Sequence, residues 1–390
     1  MKIVYLSNAC SEEMYARFVS GKKIPSPAAQ KYHSLQIMGL RQAGCEVTAL
    51  CIPPVSRGTY KGLFFRPEIQ GQWDRCASVI NVPVLRNLWM FLYVFFFTLR
   101  RTGGGKAEAV ICDVLNVTVS FAALLAGFFT RTQVVGIVTD VPTKRAFSEG
   151  RSLKKLLSKL SFWLLGHFDK YIFLTQAMNE LINPKGRPYL ISEGHVDSRL
   201  GELTDVLSEK YPKKVCLYAG SLRRIYGIPY LVEGFLQAGV KDAELHIYGE
   251  GEYEEELREL CKGHPTLRFF GLLPNEQVVE AERKVSLLIN PRPTGEEYTK
   301  FSFPSKNMEY MASGTPLLTT CLPGMPREYE QYVYLLREET SEAMARELRK
   351  LLGKTPEELF YFGQKAKAFV LAEKNNIKQA QRICGLLADS

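Results

Sequence analysis

The chain has 390 residues, 46% of them hydrophobic and 23% charged. Domains run to ~100–200 residues, so this length predicts two, and the composition excludes disordered, collagen-like and disulfide-scaffold classes. The net charge of +9 is uneven, +12 over residues 1–195 against −3 over 196–390, which points to an anionic surface or substrate facing the first half alone.

Apolar runs of strand length alternate with stretches of helical period throughout. In the first half KIVYLSN, EVTALCI, ASVINVPV, AEAVICDV, QVVGIVTDV and KYIFLTQ read as strands, and MKIVYLSN is taken as a first strand rather than a leader peptide. In the second half VCLYAG, AELHIYGEG, LRFFGLL, SLLINPR, TPLLTTCL and YVYLLR read as strands. This alternation predicts an α/β protein made of two doubly wound, Rossmann-like domains facing each other across a deep cleft, with ligands outside the carboxyl ends of the strands. The first domain is expected over residues 1–195 and the second over 196–364, with a C-terminal helix from about 365 to 390 packing back on the first. The nine cysteines are scattered without a CxxC pair, as small buried hydrophobes of a reducing cytoplasm are, and five histidines without an HxxxH spacing predict no metal site.

Two segments carry chemistry. In LINPRPTGEEYTKFSFPSKNMEYMASGTPLLTT a strand ends at Asn290-Pro291-Arg292, and Pro304 suits the first turn of a helix that Gly314 ends. A helix start has free N–H groups and partial positive charge, which favour phosphate. Ser305 and Lys306 would add a hydroxyl and a cation there, and Glu309, one turn on, is placed to accept hydrogen bonds from a ribose diol or, equally, to be a solvated helix charge. In LYAGSLRRIYGIPYLVEGF a strand ends at Gly220 before a loop with Arg223 and Arg224, the residues best suited to phosphate. An arginine pair on a surface turn is their ordinary alternative. Asn290 completes the donor-side candidates.

The order AGSL, YGI and EGF, then LHIYGEGEYEEEL, RFFGLLPNEQV and FPSKNMEYMASGTPLLTT resembles glycosyltransferase family 4 and its relatives with the GT-B fold, over nearly all of residues 214–335. The first half matches more loosely, through PSPAAQ, a helix ending RQAG, and ISEGHVD as the inter-domain turn. The resemblance implies a GT-B enzyme moving a sugar from a UDP- or GDP-type nucleotide sugar to a hydroxyl of a saccharide acceptor, with retention of configuration and without metal or other cofactor. Its phosphate clamp falls on Gly220, Ser221, Leu222, Tyr226 and Gly227, with Ser221 and Tyr226 where the family has Arg and Lys. The second of its paired glutamates falls on Glu309, while the first falls on Phe301, so Glu297 is the substitute expected at the sugar. Its N-terminal glycines fall on Ala28 and Ala29, and its strand-end histidine falls near Thr139-Asp140. Asp140 is therefore the candidate beside the reacting carbon or acceptor hydroxyl, against its alternative as a turn residue. Lys31, Tyr32, His33 and Asp113 are weaker acceptor-side candidates, and His195 reads as structural.

The longest apolar run, LWMFLYVFFFTL at 88–99, is shorter than the ~20 residues that span a bilayer. With its flanking arginines (88–101), and with the lysine-rich RSLKKLLSKLSFWLL at 151–165, it suggests attachment to an anionic membrane. Burial against the sheet is the alternative for the first segment. No nucleic-acid motif is present. The combined expectation is a cytoplasmic glycosyltransferase on the inner face of the cell membrane, acting on a lipid-linked saccharide in surface polysaccharide or glycolipid synthesis. A sugar-nucleotide epimerase, a sugar phosphorylase and a non-catalytic sugar binder remain open.

Overall fold

The computed structural model describes residues 1–11, 14–15, 27–66, 75–141, 161–202 and 205–389. It divides into two compact units, Met1–His195 with Asn376–Ser390, and Val196–Asn375.

The first unit holds strands β1 (Lys2–Ser7), β2 (Glu46–Cys51), β3 (Phe64–Phe65), β4 (Arg75–Cys76), β5 (Val79–Ile80), β6 (Ala109–Asp113), β7 (Gln133–Val138), β8 (Lys170–Phe173) and β9 (Tyr189–Ile191). Seven of them form one sheet in the order β4-β2-β1-β6-β7-β8-β9, paired in parallel throughout. These strands are nearly all buried, as expected where helices cover both faces of a parallel sheet. ASVINVPV is an exception to the predicted pattern. It contributes only β5, which pairs antiparallel with β3 outside the main sheet, because Pro83 starts a helix two residues after Asn81.

The helices of this unit are α1 (Pro27–Gln42), α2 (Pro83–Thr102), α3 (Val117–Thr130), α4 (Gln176–Ile182) and, from the far end of the chain, the last helix, Asn376–Ala388. Asn116 caps α3 by accepting from the Val119 N–H at 3.3 Å, and Thr175 caps α4 in the same way. The last helix is anchored at both ends. Asn376 Nδ2 donates to Gln42 Oε1 at 2.9 Å, and the buried Lys170 ammonium donates to the carbonyls of Leu386 (2.8 Å) and Asp389 at its C-terminal end. A cation there satisfies carbonyls that have no helical partner.

The second unit has β10 (Lys214–Ala219), β11 (Ala243–Tyr248), β12 (Leu267–Gly271), β13 (Leu287–Asn290), β14 (Leu317–Thr320) and β15 (Tyr334–Leu336), the six strands expected of the second half. They form a parallel sheet in the order β12-β11-β10-β13-β14-β15. Its helices are α5 (Ile228–Ala238), α6 (Glu254–Gly263), α7 (Asn275–Lys284), α8 (Ser305–Ala312), α9 (Ser341–Leu352) and α10 (Pro356–Glu373), which makes the last helix α11. One apolar cluster packs α5 and α9 on one face of the sheet, and another packs α8 and α10 on the other.

The stretch read as one C-terminal helix is two. A capping box of Thr355 and Glu358 starts α10, which stays in the second unit, and the chain returns to the first unit at Asn376 rather than near 365. The break follows from side chains around it: Lys374 turns to Glu328 at 2.6 Å, and Asn375 Nδ2 donates to the Leu371 carbonyl at 2.6 Å.

Candidate functional site

Each sheet has one place where strand order reverses: between β1 and β6 in the first unit and between β10 and β13 in the second. Connections leave such a point in opposite directions, so a crevice opens beyond the carboxyl ends of those two strands.

In the second unit three glycines let backbone crowd around that point. A Cβ on Gly220, the residue after β10, would stand 2.9 Å from the Tyr218 hydroxyl and 3.5 Å from Lys306 Cε. Gly249 (φ +127°) is seated directly on the Gly220 carbonyl, and Gly227 (φ +82°) on the Pro291 carbonyl. A side chain at either would overlap backbone, and both φ values suit glycine. Helix α8 is fixed to the same place by the fully buried Tyr310, whose hydroxyl accepts from the Ala219 N–H at 2.8 Å and donates to the Ala219 carbonyl at 3.1 Å. Burial pushes that phenol well above its ordinary pKa, so it stays a neutral strut.

Of the expected donor-side residues, the structure brings Gly220, Ser305, Lys306 and Glu309 together. Ser305 is exposed at the first position of α8, and the Lys306 ammonium lies 3.8 Å from the Glu309 carboxylate one turn along. Ser221 is exposed in the loop after β10, and its carbonyl accepts from the Tyr218 hydroxyl at 2.9 Å. Other candidates are occupied elsewhere. Asn290 is buried and donates to Asn307 Oδ1 at 2.6 Å, while Asn307 donates to Thr319 Oγ1 at 3.3 Å, so Asn290 ties β13 to α8 and β14 instead of facing a ligand. Arg224 gives its N–H to Glu252 at 2.8 Å and its guanidinium to Glu256, over the ring of Tyr253. Its charge is therefore spent on the acidic start of α6. Arg223 lies over Tyr226, 5.4 Å from the ring centroid. Glu297 is exposed at the start of a short 3-10 turn, Glu297–Phe301.

Arg292, expected only as part of a strand end, has its guanidinium 5.4 Å from the Tyr226 ring and 4.8 Å from the Tyr298 ring. Among the described residues its buried Nε has no hydrogen-bond acceptor, and neither the buried Tyr298 hydroxyl nor the buried Ser302 hydroxyl has a partner. The signal available was an arginine two residues past a strand at a reversal point, with tyrosines before and after it.

At the β1/β6 crevice the buried His33 links two elements. Its Nδ1 is 2.9 Å from the Tyr5 hydroxyl and its Nε2 is 3.3 Å from Asp113 Oδ2, while Asp113 Oδ1 accepts from the Leu115 N–H at 3.0 Å. Burial alone would raise the Asp113 carboxyl, but the hydrogen bond and charge of His33 and the Leu115 N–H outweigh it and hold the carboxyl below its usual range. His33 and Asp113 are thus partners, which their separate positions in sequence did not show. His195 donates from Nε2 to the Tyr32 carbonyl at 2.8 Å, and burial lowers its pKa to about 4, so it is a neutral structural residue near pH 7. Asp140 is exposed after β7 and accepts the Val141 N–H at 2.8 Å. Ala28 and Ala29 lie in the first turn of α1 rather than in a loop. Residues 151–160 of the basic segment lie outside the described residues. Among the described residues no three His, Cys, Asp or Glu side chains gather as a metal site.

Comparison with known proteins agrees with this geometry. Residues 213–354 match the family described as Glycosyl transferases group 1. No curated protein matches the chain in sequence. Among solved structures, Anabaena HepE in complex with UDP superposes with a TM-score of 0.67 at 14% identity over 100% of both chains. Sucrose-phosphate synthase from Thermosynechococcus elongatus gives 0.63 at 15% identity over 100% of both. The apo lipopolysaccharide outer core galactosyltransferase WaaB gives 0.62 at 16% identity over 99% of both. The fold is therefore that of the GT-B glycosyltransferases. Within that fold, the segment of the second unit over residues 213–354 is the part that matches the group 1 glycosyl transferase family.

Proposed function

We propose that the second unit binds a UDP- or GDP-type sugar donor, and that the enzyme moves the sugar, with retention, to a hydroxyl of a lipid-linked saccharide held by the first unit. One observation carries this reading: the start of α8, Lys306 and the bare backbone of Gly220 meet at the reversal point of the second sheet, within the segment that matches the group 1 family. The N–H groups of Ser305 and Lys306 at the start of α8 and the Lys306 ammonium are suited to a diphosphate, and Glu309 to the ribose diol. As the bond from the anomeric carbon to the phosphate oxygen breaks, the diphosphate leaves with the electron pair. Donors already in place stabilise that charge without reorganisation, so in this reading the protein's own groups supply the electrophilic help and no cofactor is invoked.

The test is a thermal-shift screen over UDP-, GDP-, ADP- and TDP-sugars, in which a ligand at 100 times its Kd adds about 2.7 kcal/mol to the native state. Glu309→Ala is expected to weaken the selected donor about tenfold or more. Unchanged affinity and turnover in that variant would remove Glu309 from the site. Release of an altered donor without any acceptor would instead identify an epimerase.

An anionic membrane as the partner of the first unit rests on the surface of α2 and α3. Helix α2 buries Met90, Val94, Thr98 and Thr102 along one stripe and turns Leu85, Leu88, Leu92 and Phe96 outward. Beside it α3 exposes Phe121, Phe128 (78%) and Phe129. With Trp163 and Arg131 these phenylalanines line a cavity of about 1010 Å³. Exposed apolar area of this kind marks an interaction surface, and Arg100 and Arg101 at the end of α2 add the charge that anionic lipid attracts. No described helix is long and apolar enough to cross a membrane. Sedimentation with phosphatidylglycerol vesicles at low salt should carry the protein down, and Phe128→Asp should reduce the bound fraction several-fold. Wild-type protein left in the supernatant would sink the membrane assignment.

A further inference from the structure

Lys306 pairs with Glu309, and Arg224 with Glu256, so much of the positive charge placed around the β10/β13 crevice is already partly neutralised. Arg292 is different. It stands two residues past β13 at the reversal point, and its backbone is fixed by Thr320 Oγ1 donating to its carbonyl at 2.5 Å. Its guanidinium is sandwiched between Tyr226 and Tyr298 and makes no hydrogen bond or ion pair among the described residues. The two aromatic faces hold the planar cation in orientation without consuming its N–H donors. It also lies close enough to Tyr218 to act on that phenol electrostatically, and the Tyr218 hydroxyl is the group that a Cβ on Gly220 would meet at 2.9 Å. Arg292 therefore belongs to the cluster that contains Gly220 and Lys306.

A half-buried arginine with a desolvated, unsatisfied Nε carries a standing cost that a planar or tetrahedral oxyanion removes. We propose that Arg292, held by Tyr226 and Tyr298, is the main cationic contact of the donor's diphosphate. On this assignment Arg224, held by Glu252 and Glu256, is not the residue that replaces the cationic clamp lost at Ser221 and Tyr226. Tyr226 serves instead as the platform for a cation supplied from the neighbouring strand. The inference rests on the donor-binding reading above and adds to it which side chain meets the leaving group.

The experiment compares calorimetric Kd values of the wild-type protein for whichever of UDP, GDP, ADP and TDP binds best and for the corresponding nucleoside. Arg292→Gln should weaken the diphosphate about 10–100-fold and leave the nucleoside within twofold, while Arg292→Lys should recover part of the loss. If Arg292→Gln keeps the wild-type margin between diphosphate and nucleoside, or loses both ligands equally, the proposal is overturned. A wild-type protein that binds none of the four diphosphates would overturn the donor-binding reading itself. A second readout needs no variant. Arginine modification of the wild-type protein by phenylglyoxal, mapped by mass spectrometry, should show Arg292 protected by the diphosphate and not by the nucleoside, and equal labelling in both cases would also refute the assignment.

Discussion

Gly249→Ala is expected to destabilise the second unit by about 3–5 kcal/mol and to abolish donor binding. Two penalties coincide at this residue. Its φ of +127° is a conformation that side-chain-bearing residues rarely adopt, and a Cβ there would overlap the carbonyl oxygen of Gly220. The obstructing atom is backbone, in a loop already stitched to its neighbours. Gly220 donates its N–H to the Tyr248 carbonyl at 3.0 Å, Gly249 donates to Gly271 at 2.8 Å, and Leu222 donates to Glu250 at 2.8 Å. Relief therefore means moving the loops after β10 and β11 together, and Gly220 is the backbone that would approach the phosphates. Urea unfolding and calorimetric titration with the selected nucleotide would measure both effects. Gly385→Ala is the matched control: it lies inside α11 with open space where its Cβ would go, and should be neutral or stabilising by about 0.5–1 kcal/mol. A Gly249→Ala protein that melts and binds like the wild type would show that the loop contact is not needed.

What could be read from the sequence, and what could not, divides along physical lines. The six strands of the second half and the start of α8 were legible because buried parallel strands are continuous Val/Ile/Leu runs and because Pro304 and Gly314 bracket an apolar-periodic segment. ASVINVPV has the same composition as a core strand, but the helix that Pro83 starts leaves only Val79–Ile80 as a strand, paired with β3 outside the main sheet. The break at Lys374–Asn375 was hidden because both residues are tolerated in a helix, and their departure from it depends on Glu328 and Leu371. In the site, residue type was a good guide to position and a poor guide to availability. Arg224 and Asn290 sit beside the expected strand ends, but Glu256 and Asn307 claim their polar atoms. Arg292 matters for the opposite reason, since no described residue accepts a hydrogen bond from its buried Nε, and that is a property of the surroundings that spacing does not encode. The His33–Asp113 contact likewise joins residues eighty positions apart, which only the β1/β6 reversal brings together.

Asp205→Ala should cost the second unit about 3–5 kcal/mol at pH 7. The Asp205 carboxylate, only 5% exposed, receives Lys367 at 2.6 Å, Arg283 at 2.8 Å and Gln364 Nε2 at 3.2 Å. It thus joins the segment entering the second unit to α7 and α10. Removing it takes away the carboxylate 2.6 Å from the buried Lys367 ammonium, and breaking a buried ion pair costs more than the intact pair contributes. Burial alone would raise the carboxyl of Asp205, but hydrogen bonds from Lys367, Arg283 and Gln364 outweigh it and hold the pKa below the ordinary value. The sign of the pH dependence follows. Because the folded pKa is depressed, the stabilisation is complete above the unfolded value of about 3.9 and is lost as pH falls through the folded one. Wild type and Asp205→Ala should therefore be far apart in urea midpoint at pH 7 and draw together below about pH 4. Asp205→Asn retains hydrogen bonding without charge and should fall between them at pH 7. A gap that stayed constant from pH 7 to pH 3 would mean that shape rather than charge at Asp205 holds α7 and α10 in place.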